Sequence, residues 1–262
     1  MKNIAGISFT EFPTALDRDR QMLLARAAGF NATVLSLADD AFEERFAAAS
    51  AANISVAAIR LPMDGVNLLW QSEEKWERLH ALYLACFDAV KNKGVQNVIA
   101  AVSAKDAPIA TQGGLFHLRK LAEEAEQRGV RLLFENTQSR EHFELAVRNC
   151  CLGYHGVCFR PSVAAQHWGS SKIPSFAKKH LHFVELDDIL DGNDEYIPYD
   201  GTVRYNAFLE DLAEISYRGV YYARVSPMCV KYRNLRYEEF ASRTYEGLCR
   251  MERECNDAEG IV

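Results

Sequence analysis

Eight short apolar runs alternate with helix-like stretches along this 262-residue chain, and this alternation restricts the fold more than any other feature of the sequence. Apolar runs bounded by Gly, Asn or Pro are typical of buried parallel strands, and stretches with a period near 3.6 are typical of helices. The predicted strands are residues 4–9, 32–37, 54–61, 95–102, 131–136, 156–159, 181–186 and 220–225. The predicted helices are residues 17–28, 41–52, 72–94, 115–127, 141–147, 173–179, 205–215 and 237–254.

Eight strands, each followed by a helix, in roughly 250 residues is the size and rhythm of a single closed (β/α)8 barrel. A doubly wound sheet is the alternative. Against it, the first predicted strand-to-helix turn, residues 8–16, contains no glycine, so the glycine fingerprint that holds a dinucleotide is missing. No linker or repeat interrupts the pattern, and we therefore expect one domain over residues 1–262.

Charge and cysteine usage exclude several classes of protein. A net charge of −6 argues against a nucleic-acid or anionic-membrane surface. Seven cysteines without a recurring CxxC spacing support neither a disulfide framework nor a structural zinc site. There is no secretory leader pattern and no apolar run of membrane-spanning length. We expect a cytoplasmic protein with a small-molecule partner and leave the oligomeric state open.

Polar side chains collect where the predicted strands end, and the C-terminal rim of a barrel is where chemistry lies. Glu135 and Asn136 directly follow the apolar run of the fifth strand. The other candidate site residues are interpreted by their position relative to Glu135. The rim candidates are Arg60, Glu135, Asn136, Arg160, Glu185, Asp188 and Arg224. Two interpretations stand: Arg160 and Arg224 form a structural ion-pair network with Glu135 and Glu185, or the ring is a preorganised site for an anion or a polyol.

Two further candidates follow the sixth predicted strand, in a stretch predicted to be a loop. The imidazole of His167 is suited to proton transfer, and the indole of Trp168 is suited to stacking on a sugar ring. A solvated histidine beside a tryptophan that covers the barrel is the alternative.

Several short motifs occur in a particular order. They are Gly29-Phe30-Asn31, Pro62 at the end of the third strand, Gly129-Val130 leading to Phe134-Glu135-Asn136, Gly156-Val157-Cys158-Phe159, and Asp194-Glu195-Tyr196-Ile197-Pro198 with Gly201. In this order and spacing the chain resembles, over nearly its whole length, the xylose isomerase-like barrel superfamily of sugar isomerases, epimerases and endonuclease IV relatives.

The resemblance implies a divalent metal held at the strand ends by a Glu, an Asp, a His and a second Glu, with two carboxylates acting as acid and base. Glu135 matches the first ligand and Asp188 matches an Asp after strand seven. The other positions are replaced: Arg60 for a His, Arg160 for an Asp, Val163 for a His, Glu185 for a His, and Arg224 for a Glu. A guanidinium about 4 Å from a dication is repelled by about 8 kcal/mol at an effective dielectric of about 20, so we expect no metal and no cofactor.

The expected function is that of a metal-independent sugar isomerase or epimerase. Its ligand is a small sugar, sugar acid or sugar phosphate. Glu135 and Glu185 are the expected proton carriers, and the expected substrate-binding residues are Arg60, Asn136, Arg160, His167, Trp168, Asp188 and Arg224. Three arginines against two acids leave one positive charge, which favours an anionic ligand. The alternative is a non-catalytic barrel with a sensor or accessory role, in which the ion pairs are structural.

Overall fold

The computed structural model of the protein describes residues 4–8 and 17–260. The strands are β1 (Ile4–Ile7), β2 (Ala32–Ser36), β3 (Ser55–Arg60), β4 (Asn97–Ala101), β5 (Arg131–Glu135), β6 (Gly156–Phe159), β7 (Leu181–Leu186), β8 (Asp188–Leu190), β9 (Asn193–Tyr196) and β10 (Val220–Ala223). The helices are α1 (Arg18–Ala28), α2 (Phe42–Ala51), α3 (Glu73–Asn92), α4 (Gln112–Gln127), α5 (Arg140–Cys150), α6 (Pro161–Trp168), α7 (Ser175–Lys178), α8 (Asn206–Glu214) and α9 (Tyr237–Glu259). Two short 3₁₀ turns cover Val66–Trp70 and Val230–Tyr232.

Eight of the strands form a closed barrel in the order β1-β10-β7-β6-β5-β4-β3-β2. All neighbouring pairs are parallel, and the first strand closes the barrel against the last, with Ile4 opposite Val220. Parallel strands require a crossover connection, which the intervening helices supply. The predicted (β/α)8 barrel is confirmed, and β8 and β9 form a separate antiparallel hairpin.

Helix α3 shows how the outer layer is held on the barrel. Trp76, Leu79, Tyr83 and Phe87 recur at helical spacing and are buried, whereas the opposite face carries charged residues. Burying one large apolar side chain stabilises the fold by about 1.5–3 kcal/mol. This stripe therefore fixes α3 on the barrel, as the periodicity of the sequence predicts.

Three segments differ from the sequence-based expectation. The residues after β6 were predicted to be a loop, but they form α6. Pro161 occupies its first turn and Gly169, at a φ of 76°, follows its last residue. That pairing of Pro and Gly is a recognised helix signal. The predicted helix at 173–179 is shortened to Ser175–Lys178, and the acidic stretch 187–202, predicted to be a loop, contains the β8–β9 hairpin.

Other expectations concern single features. All seven cysteines are free, in agreement with the prediction that no disulfide framework exists. Among the described residues, no helix combines the length and the apolar character needed to cross a lipid bilayer. The predicted extension of the first strand to Phe9 lies outside the described residues.

Candidate functional site

The inner face of the barrel determines where the charged residues lie. A small cluster fills the interior: Val34, Ala58, Ile99, Leu133, Cys158, Phe183 and Tyr222. Because successive side chains of a strand point to opposite faces, the residue two positions further along points inward again, one layer nearer the C-terminal rim. From five of these residues the step of two reaches Arg60, Glu135, Arg160, Glu185 and Arg224. These five charged residues therefore form one layer on top of the apolar interior.

Arg60, at the end of β3, joins two carboxylates of this layer. Its Nη1 donates to Oε2 of Glu135, and its Nη2 lies 2.5 Å from Oε1 of Glu185. Glu135 is 4% exposed and Glu185 is fully buried. One planar guanidinium thus holds a carboxyl pair side by side, and its charge offsets the desolvation of the pair.

The two carboxyls of this pair differ in acidity. Burial raises the pKa of Glu135, although Arg60 and Arg224 oppose the shift. Burial also acts to raise the pKa of Glu185, but the surrounding guanidiniums of Arg60, Arg224 and Arg160 outweigh it and lower that pKa to about 2. The groups titrate as a pair. Burial thus favours the protonated form of Glu135, and the surrounding guanidiniums favour the ionised form of Glu185.

Arg160, which precedes α6, has different partners from those expected. Its Nε donates to Oδ1 of Asp187 at 2.9 Å, and its Nη2 contacts both Oδ2 of Asp187 and Oδ2 of Asp194, the latter at 2.7 Å. Ser162 also donates to Asp187. The prediction that Arg160 pairs with Glu135 and Glu185 is therefore wrong, because its partners are Asp187 and Asp194. Arg160 is the centre of a second ion-pair group.

Asn136 connects the fifth and sixth strand ends. Its Nδ2 donates to the carbonyl oxygen of Arg160 at 2.9 Å, and the backbone N–H of Arg160 donates to its Oδ1 at 2.6 Å. This reciprocal pair satisfies both polar atoms of the buried amide. Asn136 thereby fixes the position from which the Arg160 side chain extends.

Arg224, at the end of β10, is held more loosely than the other two arginines. Its Nε lies 3.3 Å from Oε1 of Glu195, and its Nη1 lies 3.6 Å from Oε1 of Glu135 and 3.9 Å from Oε2 of Glu185. Its Nη2 has no partner among the residues that the structure describes. The predicted proximity of Arg224 and Glu135 is confirmed, and Nη2 of Arg224 is a donor available to a ligand.

A cavity of about 310 Å³ opens at this rim. Its wall includes Glu135, Asn136, Arg160, His167, Asp194 and Arg224. The volume is at the lower end of the range for small-ligand sites. The structure thus brings five of the predicted site residues to one cavity, while Arg60 and Glu185 lie behind Glu135.

Besides Arg60 and Glu185, two more predicted site residues do not line this cavity. The indole Nε1 of Trp168 donates to the carbonyl oxygen of Gln138 at 3.1 Å, and its ring packs on Phe143 with 5.6 Å between ring centroids. Oδ1 of Asp188 accepts from the backbone N–H of Val203 at 2.9 Å. Trp168 therefore packs against the buried face of α5, and Asp188 binds the backbone of the segment that follows the hairpin.

Asp187, Asp194 and Glu195 were missing from the sequence-based site. For Asp187 a signal existed, since Glu185 points inward and the residue two positions later points inward as well. Asp194 and Glu195 lie on β9, and only the folding of the hairpin brings them to the arginines. Glu195 has a φ of 66°, a left-handed backbone conformation that is rare for a glutamate, and its N–H donates to Oδ2 of Asp187.

These three acids correct the predicted charge balance. In the described part of the chain, three guanidiniums of the rim contact five carboxylates rather than two. The acids are Glu135, Glu185, Asp187, Asp194 and Glu195. Among these described residues no positive charge is left over, so the charge-based argument for an anionic ligand is wrong.

The residues present do not fit the divalent metal that the resemblance implies. The Arg60 guanidinium is bound to both Glu135 and Glu185, and the Arg224 guanidinium adjoins the same pair. No group of three or more His, Cys, Asp or Glu side chains in residues 4–8 and 17–260 has the arrangement of a metal site. Two cations at the carboxylates would repel a third.

Comparisons with known proteins support the fold. Among solved structures, an L-ribulose 3-epimerase superposes with a TM-score of 0.73 at 15% identity, covering 100% of this chain and 98% of that one. A D-allulose 3-epimerase from Methylomonas sp., in complex with D-allulose, superposes with a TM-score of 0.70 at 14% identity, covering 96% and 98%. No curated protein sequence matches the chain significantly.

A third structure is larger. A xylose isomerase-like TIM barrel/4-hydroxyphenylpyruvate dioxygenase fusion protein superposes with a TM-score of 0.73 at 18% identity, covering 97% of this chain and 43% of that one. The present chain thus spans less than half of the fusion protein. The family model described as xylose isomerase-like TIM barrel matches residues 22–229. With this match and the closed eight-stranded barrel, the chain belongs to the xylose isomerase-like TIM barrel family.

Proposed function

We propose that the chain is a sugar isomerase or epimerase that moves a proton next to the carbonyl group of a small carbohydrate, and that it does so without a divalent metal. The observation that carries this proposal is Glu135, a buried carboxyl with a raised pKa that faces a cavity of about 310 Å³. A carboxyl whose pKa is shifted toward neutrality is suited to both accept and return a proton.

Glu185 supports Glu135 in this role. Its own pKa of about 2 keeps it ionised, and its negative charge contributes to the raised pKa of Glu135. Arg60 fixes the geometry of both carboxyls. The guanidinium therefore holds the two carboxyl groups in place.

Arg224 supplies the positive charge that enediolate chemistry requires. Removing a proton next to a carbonyl places negative charge on the carbonyl oxygen, and preorganised donors stabilise that charge. Arg224 lines the cavity, and its Nη2 has no partner within the described residues. Asn136 and His167 line the same cavity and complete the set of polar groups available to sugar hydroxyls.

Sugar chemistry is supported by the structural relatives. The matched L-ribulose and D-allulose 3-epimerases are named for ketoses and share the fold at low identity. The cavity is of suitable size for one small polar ligand. We therefore place a monosaccharide or a close derivative among the first ligands to test.

A non-catalytic carbohydrate-binding barrel is the second candidate, and one observation favours it. Arg60 is bound to both proposed proton carriers, and Glu185 is fully buried. An ion pair of this kind also serves as a structural replacement for a metal. In that case the cavity binds a sugar without changing it.

Proton exchange in deuterium oxide separates these candidates. The protein is incubated with ketoses, aldoses, uronates and sugar phosphates, and nuclear magnetic resonance follows deuterium uptake next to the carbonyl. We expect uptake with at least one sugar, its loss in Glu135→Gln, and a large decrease in Arg224→Lys. Glu239→Gln, at an exposed position on α9, is the control and should leave the rate unchanged. Sugar binding without exchange would support the non-catalytic candidate.

A further inference from the structure

Two of the three nitrogens of the Arg160 guanidinium, Nε and Nη2, are already bound by carboxylates of the chain itself. Asp187 takes Nε and Nη2 as a bidentate partner, and Asp194 takes Nη2 from the cavity side at 2.7 Å. Phosphates and carboxylates bind arginine through the same donors. An anionic ligand that uses Nη2 of Arg160 would therefore have to compete with Asp194.

Asp194 is the accessible member of this group. Its side chain is 52% exposed and lines the cavity, whereas Asp187 is fully buried. Its Oδ1 has no partner in the part of the chain that the structure describes. A carboxylate oxygen in this position accepts hydrogen bonds from sugar hydroxyls and repels a phosphate or a carboxylate.

The surrounding charges do not reverse this preference. Lys105 also lines the cavity, but it is exposed, and it brings the cations to four against the five carboxylates of the rim. Arg224 is shared among Glu135, Glu185 and Glu195. The described part of the rim thus has no unbalanced positive charge to attract an anion.

We propose that Asp194 determines the charge class of the ligand: the cavity accepts a neutral sugar and excludes sugar acids and sugar phosphates, because the exposed carboxylate of Asp194 lies in the cavity wall, bound to Arg160, and repels a second anion there. This inference rests on the proposed function and narrows its substrate class. It concerns a residue on the β8–β9 hairpin rather than one of the barrel strands.

The test compares ligand affinities of wild type, Asp194→Asn and Asp191→Asn at fixed ionic strength by isothermal titration calorimetry. Asp191 lies at the exposed tip of the same hairpin and contacts no arginine in the described residues, so Asp191→Asn removes the same charge without freeing Arg160. Its φ of 52° is also tolerated by asparagine. The ligands are D-allulose, L-ribulose, D-ribulose 5-phosphate and inorganic phosphate.

We expect wild type to bind a neutral ketose more tightly than the phosphate ester. Asp194→Asn should bind the phosphate ester and inorganic phosphate about tenfold more tightly than wild type does, and Asp191→Asn should not. Equal gains in the two variants, or a wild type that prefers the phosphate ester, would overturn this inference and leave the proposed sugar chemistry standing. Failure of every sugar to bind to any of the three proteins would overturn both.

Discussion

Nη2 of Arg60 lies 2.5 Å from Oε1 of Glu185, a carboxylate with no exposed surface. Arg60 comes from β3 and Glu185 from β7, so the contact spans the mouth of the barrel. Each residue lies two positions after an apolar residue of the barrel interior on the same strand, Arg60 after Ala58 and Glu185 after Phe183. The charged layer therefore lies on the apolar interior of the barrel. Ionic contacts are stronger there than at the surface, and losing one costs more stability.

The first prediction concerns the two carboxyls bound to Arg60. Glu185→Gln removes a buried charge that Arg60 needs and should lower the free energy of unfolding by about 3 kcal/mol. Glu135→Gln should lower it by less, because burial already favours the protonated, neutral form of Glu135. Urea unfolding at neutral pH measures both. Asp88→Asn, which removes the acid of an exposed ion pair with Arg128, is the control and should change stability by about 1 kcal/mol at most.

The second prediction is a dependence of stability on pH. The pKa of Glu185 in the folded state is about 2, below the ordinary value of about 4.3, so its contribution is present above the ordinary value and is lost as the pH falls toward 2. The pKa of Glu135 is shifted upward, so its contribution is present at low pH and is lost as the pH rises through the folded value.

Glu185→Gln and Glu135→Gln should each remove one of these two pH-dependent contributions to stability. The stability gap between wild type and Glu185→Gln should narrow on acidification. Relative to wild type, Glu135→Gln should gain stability as the pH rises above about 4.3. Urea unfolding from pH 3 to pH 9 gives both curves. Parallel curves for wild type and both variants would contradict the assignment.

The third prediction concerns Arg224 and Glu135, whose Nη1 and Oε1 atoms are 3.6 Å apart. Residues in contact show coupled effects on stability. A double-mutant cycle with Arg224→Ala and Glu135→Ala should give a coupling energy of at least about 0.5 kcal/mol. A plain sum of the two single effects would mean that the contact contributes nothing.

The fourth prediction separates Arg160 from Arg224. Arg160 is 5% exposed and has a buried bidentate partner in Asp187, so Arg160→Ala should lower the free energy of unfolding by about 3–5 kcal/mol. Arg224→Ala should cost less than half of this, because its contacts are long and its side chain is 26% exposed. Denaturant unfolding of the two variants gives the comparison, and equal losses would contradict the distinction between a structural and a ligand-facing arginine.

The fifth prediction is that the purified protein carries no stoichiometric divalent metal. Arg60 and Arg224 lie at the carboxylates that a cation would need. Elemental analysis should find far less than one Mn, Zn or Mg per chain, and adding these ions should not raise the melting temperature. About one ion per chain that disappears in Glu135→Ala would show that the site binds metal after all.

Much of the architecture follows from local sequence patterns. Apolar runs and helical periodicity each depend on neighbours within a few residues, and they were sufficient to predict the barrel. The same alternation placed Glu135, Glu185 and Arg224 at strand ends, where a period of two makes them point into the mouth. Helix α6 was missed although Pro161 and Gly169 mark its ends, because eight residues give a weak periodic signal.

The pairing of charges was decided by the tertiary structure. A sequence shows that Arg160 ends a strand, but not that the chain returns at Asp187 and again at Asp194 to neutralise it. Counting arginines and acids at strand ends therefore predicted an unbalanced positive charge that the folded protein does not have. Local alternation fixes which way a side chain points, because it depends only on the strand that carries it. Its ionic partner depends on distances between segments far apart in the chain, and only the closed barrel with its hairpin sets those distances.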